Sequence, residues 1–213
     1  MGLFDFLKGK KTGANKAEEI IERVALNAKT SSVVKLFDTI FKSSMKLADT
    51  TKNEMSELWK SKNISIVEEK TIWFTMLAEF IYCHLAITDR IAFSVLGKQR
   101  RNDLMNELVS TIRFSAVESV FNEWDEKLKD NFKKHFSDGY TESQERYSKG
   151  KELIDKKEPF TGNGVFSILG REIAEINNCS TNPEINMRTI ELTATSFSQM
   201  NLNKFVEDFK NSQ

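Results

Sequence analysis

The sequence predicts an all-α fold: a single helical bundle of about six to eight helices built around a long antiparallel helix hairpin. Three observations lead there. The only prolines are Pro159 and Pro183, so no residue from Ala14 to Glu158 removes a backbone donor and breaks a helix. Apolar residues recur at three- and four-residue spacing almost throughout. Gly97 stands between two unusually long runs of that spacing, where a left-handed stop followed by a short turn would fold one run back on the other.

At 213 residues the chain can bury one sizeable core without a metal or a disulfide. Residues 1–13 read as an amphipathic N-terminal segment and residues 14–213 as the all-α domain. Within the domain, Asn15 with Glu18 resembles a capping pair, followed by a narrow stripe of Ile20, Ile21, Val24 and Ala25. A second helix carries Val33, Val34, Phe37, Ile40, Phe41, Met45 and Ala48. Thr51 with Glu54 then opens a third, with Met55, Leu58 and Trp59.

Ser65 and Glu68 form the next capping box, and the helix they open runs to Gly97, roughly 45 Å at ~1.5 Å per residue. Its middle, TIWFTMLAEFIYCHLAIT, is apolar enough to raise the question of a membrane span. A carboxylate such as Glu79 costs ~2.5–3.5 kcal/mol at mid-span, and His84 and Asp89 add to the burden, so a buried central helix is the expectation. Past the GKQRRND turn, Leu104, Leu108, Ile112, Val117, Val120, Phe121, Trp124, Leu128, Phe132 and Phe136 mark a second long helix, bent near 110–115. The polar segment near 137–164 is expected to be loosely packed, as a short helix capped by Thr141 and then a loop. A helix with Val165, Ile168, Leu169, Ile173 and Ile176 follows. Asn182 and Pro183 start another, whose RTIELTATSF stretch keeps an extended alternative open, and Leu202, Phe205, Val206 and Phe209 dock a final helix.

Charge excludes some functions. Lys plus Arg equals Asp plus Glu at 31 each, so no global field draws nucleic acid, and none is expected as a partner. Cys83 and Cys179 lack metal-ligand spacing and fit reduced thiols. The chain holds no Gly-x-Ser-x-Gly, His-Glu-x-x-His or Cys-x-x-Cys, and the glycines of TGNGVFSILG match neither the dinucleotide fingerprint nor the P-loop. Nothing gives a positive reason to name an enzyme, a cofactor or a metal.

Three sets of residues are candidates for contact. Glu79, Cys83, His84 and Arg90 lie on the central helix and could line a ligand pocket; on a helical projection His84 falls about 140° from Glu79, so the two do not share a face. The structural reading makes His84 a hydrogen-bonded core residue and pairs Glu79 with a basic or hydroxyl side chain of a neighbouring helix. Lys98, Arg100 and Arg101 form a basic knot that could meet an anion. Leu3, Phe4, Phe6 and Leu7, with Lys8, Lys10 and Lys11, could touch a membrane or a partner.

The opening GLFDFLK, Gly2 to Lys8, resembles short amphipathic bilayer peptides such as amphibian antimicrobial peptides of the aurein type. It is also similar to the first residues of assorted bacterial cytoplasmic proteins, including the signal-recognition-particle receptor and tellurium-resistance proteins. That resemblance covers seven residues and implies a bacterial peripheral protein. It is neither a secretory signal nor a myristoylation signal. Burying its four apolar side chains gains ~6–12 kcal/mol while ordering it costs ~7–14, so contact with a membrane needs a second anchor. The expected function is a non-enzymatic interaction or scaffold protein of a bacterial cytoplasm, reversibly peripheral at the inner face of the membrane. An unidentified protein partner and self-association stay open. The alternative is a small-ligand-binding bundle, or an enzyme of unrecognised type, with its pocket near Glu79, Cys83 and His84.

Overall fold

The computed structural model describes residues 31–211 apart from 121–125, 156, 159–161 and 181; the side chains of 31, 116–120, 127–129, 131, 132 and 135 are also outside the description. The N-terminal contact residues, the Asn15 helix and the side chains of the apolar positions 117, 120, 121, 124, 128 and 132 therefore lie outside the description. Every regular element that is described is a helix, and no strand occurs among the described residues.

Helix α1 spans Ser31–Ser61 without interruption. The sequence reading divides this stretch at Thr51; the structure does not. Ile40, Ser44, Ala48, Thr51, Met55 and Trp59 are all buried and follow one another at three- or four-residue spacing, so a continuous buried face overrides the capping signal of Thr51 and Glu54. The stop comes at Asn63, whose φ of 53° is left-handed. The Ile64 amide donates to the Trp59 carbonyl and the Asn63 amide to that of Lys60, the paired bonds of a Schellman motif.

Ser65 starts α2, Ile66–Val120, as its sequence requires: the Glu68 amide donates to Ser65 Oγ at 3.3 Å and the Ser65 amide to Glu68 Oε2 at 2.8 Å. Helical backbone angles fail inside it at Gly97 alone, with φ 74° and ψ 177°. The residues read as a turn after Gly97 are helical, and so are 110–115, where a bend was expected. Lys, Gln and Arg are good helix formers, so the departure is confined to the one residue that takes positive φ without a Cβ penalty. The stretch Ile66–Ser115 could cross a membrane by length and composition, but 67% of its most apolar window is buried within the protein.

Helix α3, Glu126–Ser148, runs through Gly139 and Thr141, so Thr141 is a mid-helix residue and not a cap. Helix α4 is Val165–Ile176 and α5 is Pro183–Met200, which Asn182 caps by accepting the Glu184 amide at 2.9 Å. The threonine-rich stretch of α5 is helical; Thr193 Oγ1 donates to the Thr189 carbonyl one turn back. Helix α6 is Leu202–Asn211. Asn178 and Asn201, at φ 54° and 49°, end α4 and α5 in the left-handed region as Asn63 ends α1.

These helices divide into two compact units. The described residues of the first lie within Met1–Asp38, Ile91–Tyr140 and Asn203–Gln213; those of the second lie within Thr39–Arg90 and Thr141–Leu202. In the first, Leu104, Leu108 and Ile112 of α2 and Val206 and Phe209 of α6 are buried. Arg100 donates to the Phe209 and Lys210 carbonyls at 3.3 and 2.8 Å, capping the C-terminal end of α6 with a cation.

In the second unit, Met76, Phe80 and Leu85 of α2, Phe166, Leu169 and Ile173 of α4, and Ile185 and Ile190 of α5 are buried. Trp59 Nε1 donates to Asn177 Oδ1 at 2.9 Å, and Lys62 Nζ to the Asn178 carbonyl at 3.0 Å, tying the end of α1 to the end of α4. Gly170 lets α4 lie close to α5. A Cβ there would overlap Asn186 Oδ1 and sit 3.0 Å from the Asn186 backbone carbonyl. Gly170→Ala is expected to cost about 1–3 kcal/mol by overpacking, read as a lower urea midpoint, with part recovered in Gly170→Ala/Asn186→Ala. A wild-type midpoint in the single variant would show that the crossing is looser than described.

Candidate functional site

Glu79 sits on α2 among the buried apolar residues Met76, Leu77, Phe80 and Ile81, and is 6% exposed. A carboxylate so placed must find donors, because charge taken out of water is costly. It finds them on α3. Arg146 Nη2 lies 3.0 Å from both carboxylate oxygens, and Tyr147 Oη donates to Oε1 at 2.6 Å. Arg146 also reaches the other way, with Nη1 2.9 Å from Glu172 Oε2 on α4. One guanidinium thus joins carboxylates from two helices, a use its planar fork of donors suits. Arg90 completes the group by donating from Nη2 to the Tyr147 backbone carbonyl at 2.6 Å.

Burial dominates the electrostatics here. Desolvation raises the Glu79 pKa above the usual carboxylate range, against the Tyr147 hydrogen bond and the Arg146 charge, which pull it down. Desolvation likewise raises Glu172. The Tyr147 hydroxyl is held well above its ordinary value by burial and then by Glu79, so it stays a donor. Cys83, fully buried next to this group, is pushed up first by desolvation and then by Glu79, which keeps it a thiol.

His84 belongs to a different environment. It is fully buried, with Nδ1 2.9 Å from Ser44 Oγ on α1, while Nε2 has no hydrogen-bond partner among the described residues. Desolvation lowers its pKa to about 4, so the ring is neutral at physiological pH. Of the four residues nominated as a pocket, the structure joins Glu79 and Arg90 through Tyr147 and turns His84 toward α1.

In the basic knot, Arg100 is spent on the α6 carbonyls, Arg101 Nη1 donates to Asn102 Oδ1 at 2.9 Å, and Lys98 is exposed. Sequence reasoning missed Arg146 and Tyr147, because their segment reads as polar and lightly packed. A signal was present: Phe136, Ser143 and Tyr147, all buried, keep the seven- and four-residue spacing of a core-facing stripe. Also missed was a cleft in the second unit between α1 and α5. No group of three or more His, Cys, Asp or Glu that could hold a metal ion occurs among the described residues.

No family model matches the chain, and neither does any curated protein or any solved structure.

Proposed function

We propose that this is a non-enzymatic, all-helical interaction or scaffold protein, a bundle of about six to eight helices around a long antiparallel hairpin. It works in the cytoplasm of a bacterium and touches the inner face of the membrane reversibly through residues 2–8. The supporting observation is how the interior polar groups are used. Glu79, Arg146, Tyr147 and Arg90 bond one another, and Arg146 bonds Glu172, so these groups lock α2, α3 and α4 together. Groups engaged in this way hold surfaces in shape for a partner.

On the outside, Phe93 and Phe114 of the first unit are 60% and 44% exposed, and Phe114 carries the cations of Arg113 and Lys133 at 5.9 and 5.5 Å from its ring. Large exposed aromatics are costly in water and are suited to a protein interface. Sedimentation velocity across a concentration series tests this. Self-association is expected, weakened in Phe93→Ser/Phe114→Ser at unchanged helicity. A monomer at every concentration would overturn the self-associating form of the proposal. For the membrane contact, vesicle flotation is expected to fall when residues 1–11 are removed; equal flotation would sink that part.

The second reading, a small-ligand site near Glu79, Cys83 and His84, draws on one observation: His84 Nε2 is a buried polar atom without a partner among the described residues. Native mass spectrometry of the purified protein separates the readings, since a retained small molecule lost in His84→Leu would favour the second.

A further inference from the structure

The end of α4 fixes the place of a cysteine. With Asn178 at φ 54°, its amide donates to the Glu175 carbonyl at 2.8 Å and the Cys179 amide donates to the Ala174 carbonyl at 2.7 Å, the paired bonds of a Schellman motif. Cys179 Sγ then donates to the Asn177 carbonyl at 3.1 Å.

Lys62 reaches the same turn from the end of α1. Its Nζ lies 3.0 Å from the Asn178 carbonyl oxygen, 3.4 Å from that of Asn177 and 3.5 Å from Cys179 Sγ. Carbonyls at a helix C-terminus attract a cation, and the bond from Trp59 Nε1 to Asn177 Oδ1 holds the base of the lysine's segment against the turn. An amine and a thiol 117 positions apart in sequence, both in the second unit, are thereby brought within contact distance.

The two cysteines of the chain differ in access. Cys83 is fully buried, whereas Cys179 keeps 7% exposure and its neighbour Lys62 is exposed. A small oxidant can therefore meet Cys179 at the protein's edge, with an amine already in place to capture the oxidised sulfur.

We propose that Lys62 and Cys179 form a redox-sensitive strap: a peroxide oxidises Cys179, and the Lys62 amine traps the product as a sulfenamide. The thiol sulfur attacks one peroxide oxygen; the O–O bond breaks, an S–O bond forms, and the second oxygen leaves as water with the thiol proton. Sulfur gives up two electrons and the peroxide takes them. Lys62 releases a proton to solvent, and its lone pair attacks the sulfur; the S–O bond breaks, and the hydroxyl leaves as water with one amine proton. One thiol, one ammonium and one hydrogen peroxide thus give one sulfenamide, two waters and a proton. A dithiol reverses the link, returning thiol and amine as it becomes a disulfide. The modification is independent of the interaction surfaces proposed above.

The test treats the full-length protein with hydrogen peroxide and maps its peptides by mass spectrometry without reductant. The peptides holding Lys62 and Cys179 are expected to run joined, at their summed mass less two hydrogens, and to separate in dithiothreitol. Linked wild type should unfold at a higher urea midpoint, because the strap restricts the unfolded chain. Lys62→Arg keeps a cation at the turn and replaces the amine with a poorly nucleophilic guanidinium, so it should show neither link nor rise at unchanged helicity. Cys179 left as a thiol, oxidised to sulfinic acid without the link, or bridged to Cys83 would overturn the proposal. So would a link at Cys179 that persists in Lys62→Arg.

Discussion

Arg146→Ala is expected to lower stability at neutral pH by about 3 kcal/mol, measured as a shift in the urea midpoint with the slope unchanged. The value is at the low end for breaking a buried ion pair because the Arg146 side chain keeps 32% of its exposure, so solvent screens part of each interaction. What remains after the change decides the size of the effect. Among the described residues Glu79 keeps the Tyr147 hydroxyl alone, and half-buried Glu172 loses its bond to Arg146, so the buried Glu79 carboxylate is left without a paired cation. Arg146→Lys should recover little, since one ammonium cannot span Glu79 and Glu172 as the guanidinium does. Glu79→Gln should be milder than Arg146→Ala, because the amide leaves no buried charge. A midpoint for Arg146→Ala within error of wild type would mean that the group is solvated and carries no structural weight.

The sign of the pH effect follows from Glu79. Its folded pKa is raised by desolvation, so folding takes up protons above the unfolded carboxylate value. That contribution strengthens as pH falls toward the unfolded value and is lost as pH rises through the folded one. With the guanidinium gone, desolvation is opposed less and the shift grows. The gap between wild type and Arg146→Ala is therefore expected to narrow on acidification.

His84 gives the second large effect, and its sign is opposite. The folded pKa is about 4 against 6.5 unfolded, so between these values the unfolded chain binds a proton that the folded protein refuses. Stability from this group is complete above pH 6.5 and is lost as pH falls toward 4, a total of about 3 kcal/mol, of which about 2 should be gone by pH 5. Comparing His84→Leu with wild type at pH 7 and pH 5 isolates the contribution, because Glu79 and Glu172 titrate in both. Wild type should lose about 2 kcal/mol more than the variant over that interval. Equal losses would place the imidazole in contact with water.

Helix starts were legible because their chemistry is local. Ser65 and Glu68 bond amides within their own first turn, and Asn182 accepts the Glu184 amide just past Pro183, which needs no amide partner, so the side chains that announce the helix are the ones that satisfy it. Gly97 was legible as a left-handed position for the same reason. The asparagine stops at 63, 178 and 201 were less visible, since asparagine only tolerates positive φ, and the surrounding hydrogen bonds select it. Thr51 and Thr141 misled because each carries a helix-start pattern inside a helix whose buried face continues past it.

The candidate site divides along the same line. That Glu79 needs a donor follows from one carboxylate in an apolar run. Which donor it finds depends on residues 67 and 68 positions away, and on Glu172 competing for the same guanidinium. The cleft between α1 and α5 is a stronger case: its two faces are about 150 residues apart, and neither is a motif alone. Helical class, caps and the need for buried charge to be paired are set by forces acting within a few residues along the chain. Partners, clefts and the close approach at Gly170 are set by distances between segments far apart in sequence, and only the packed chain decides those.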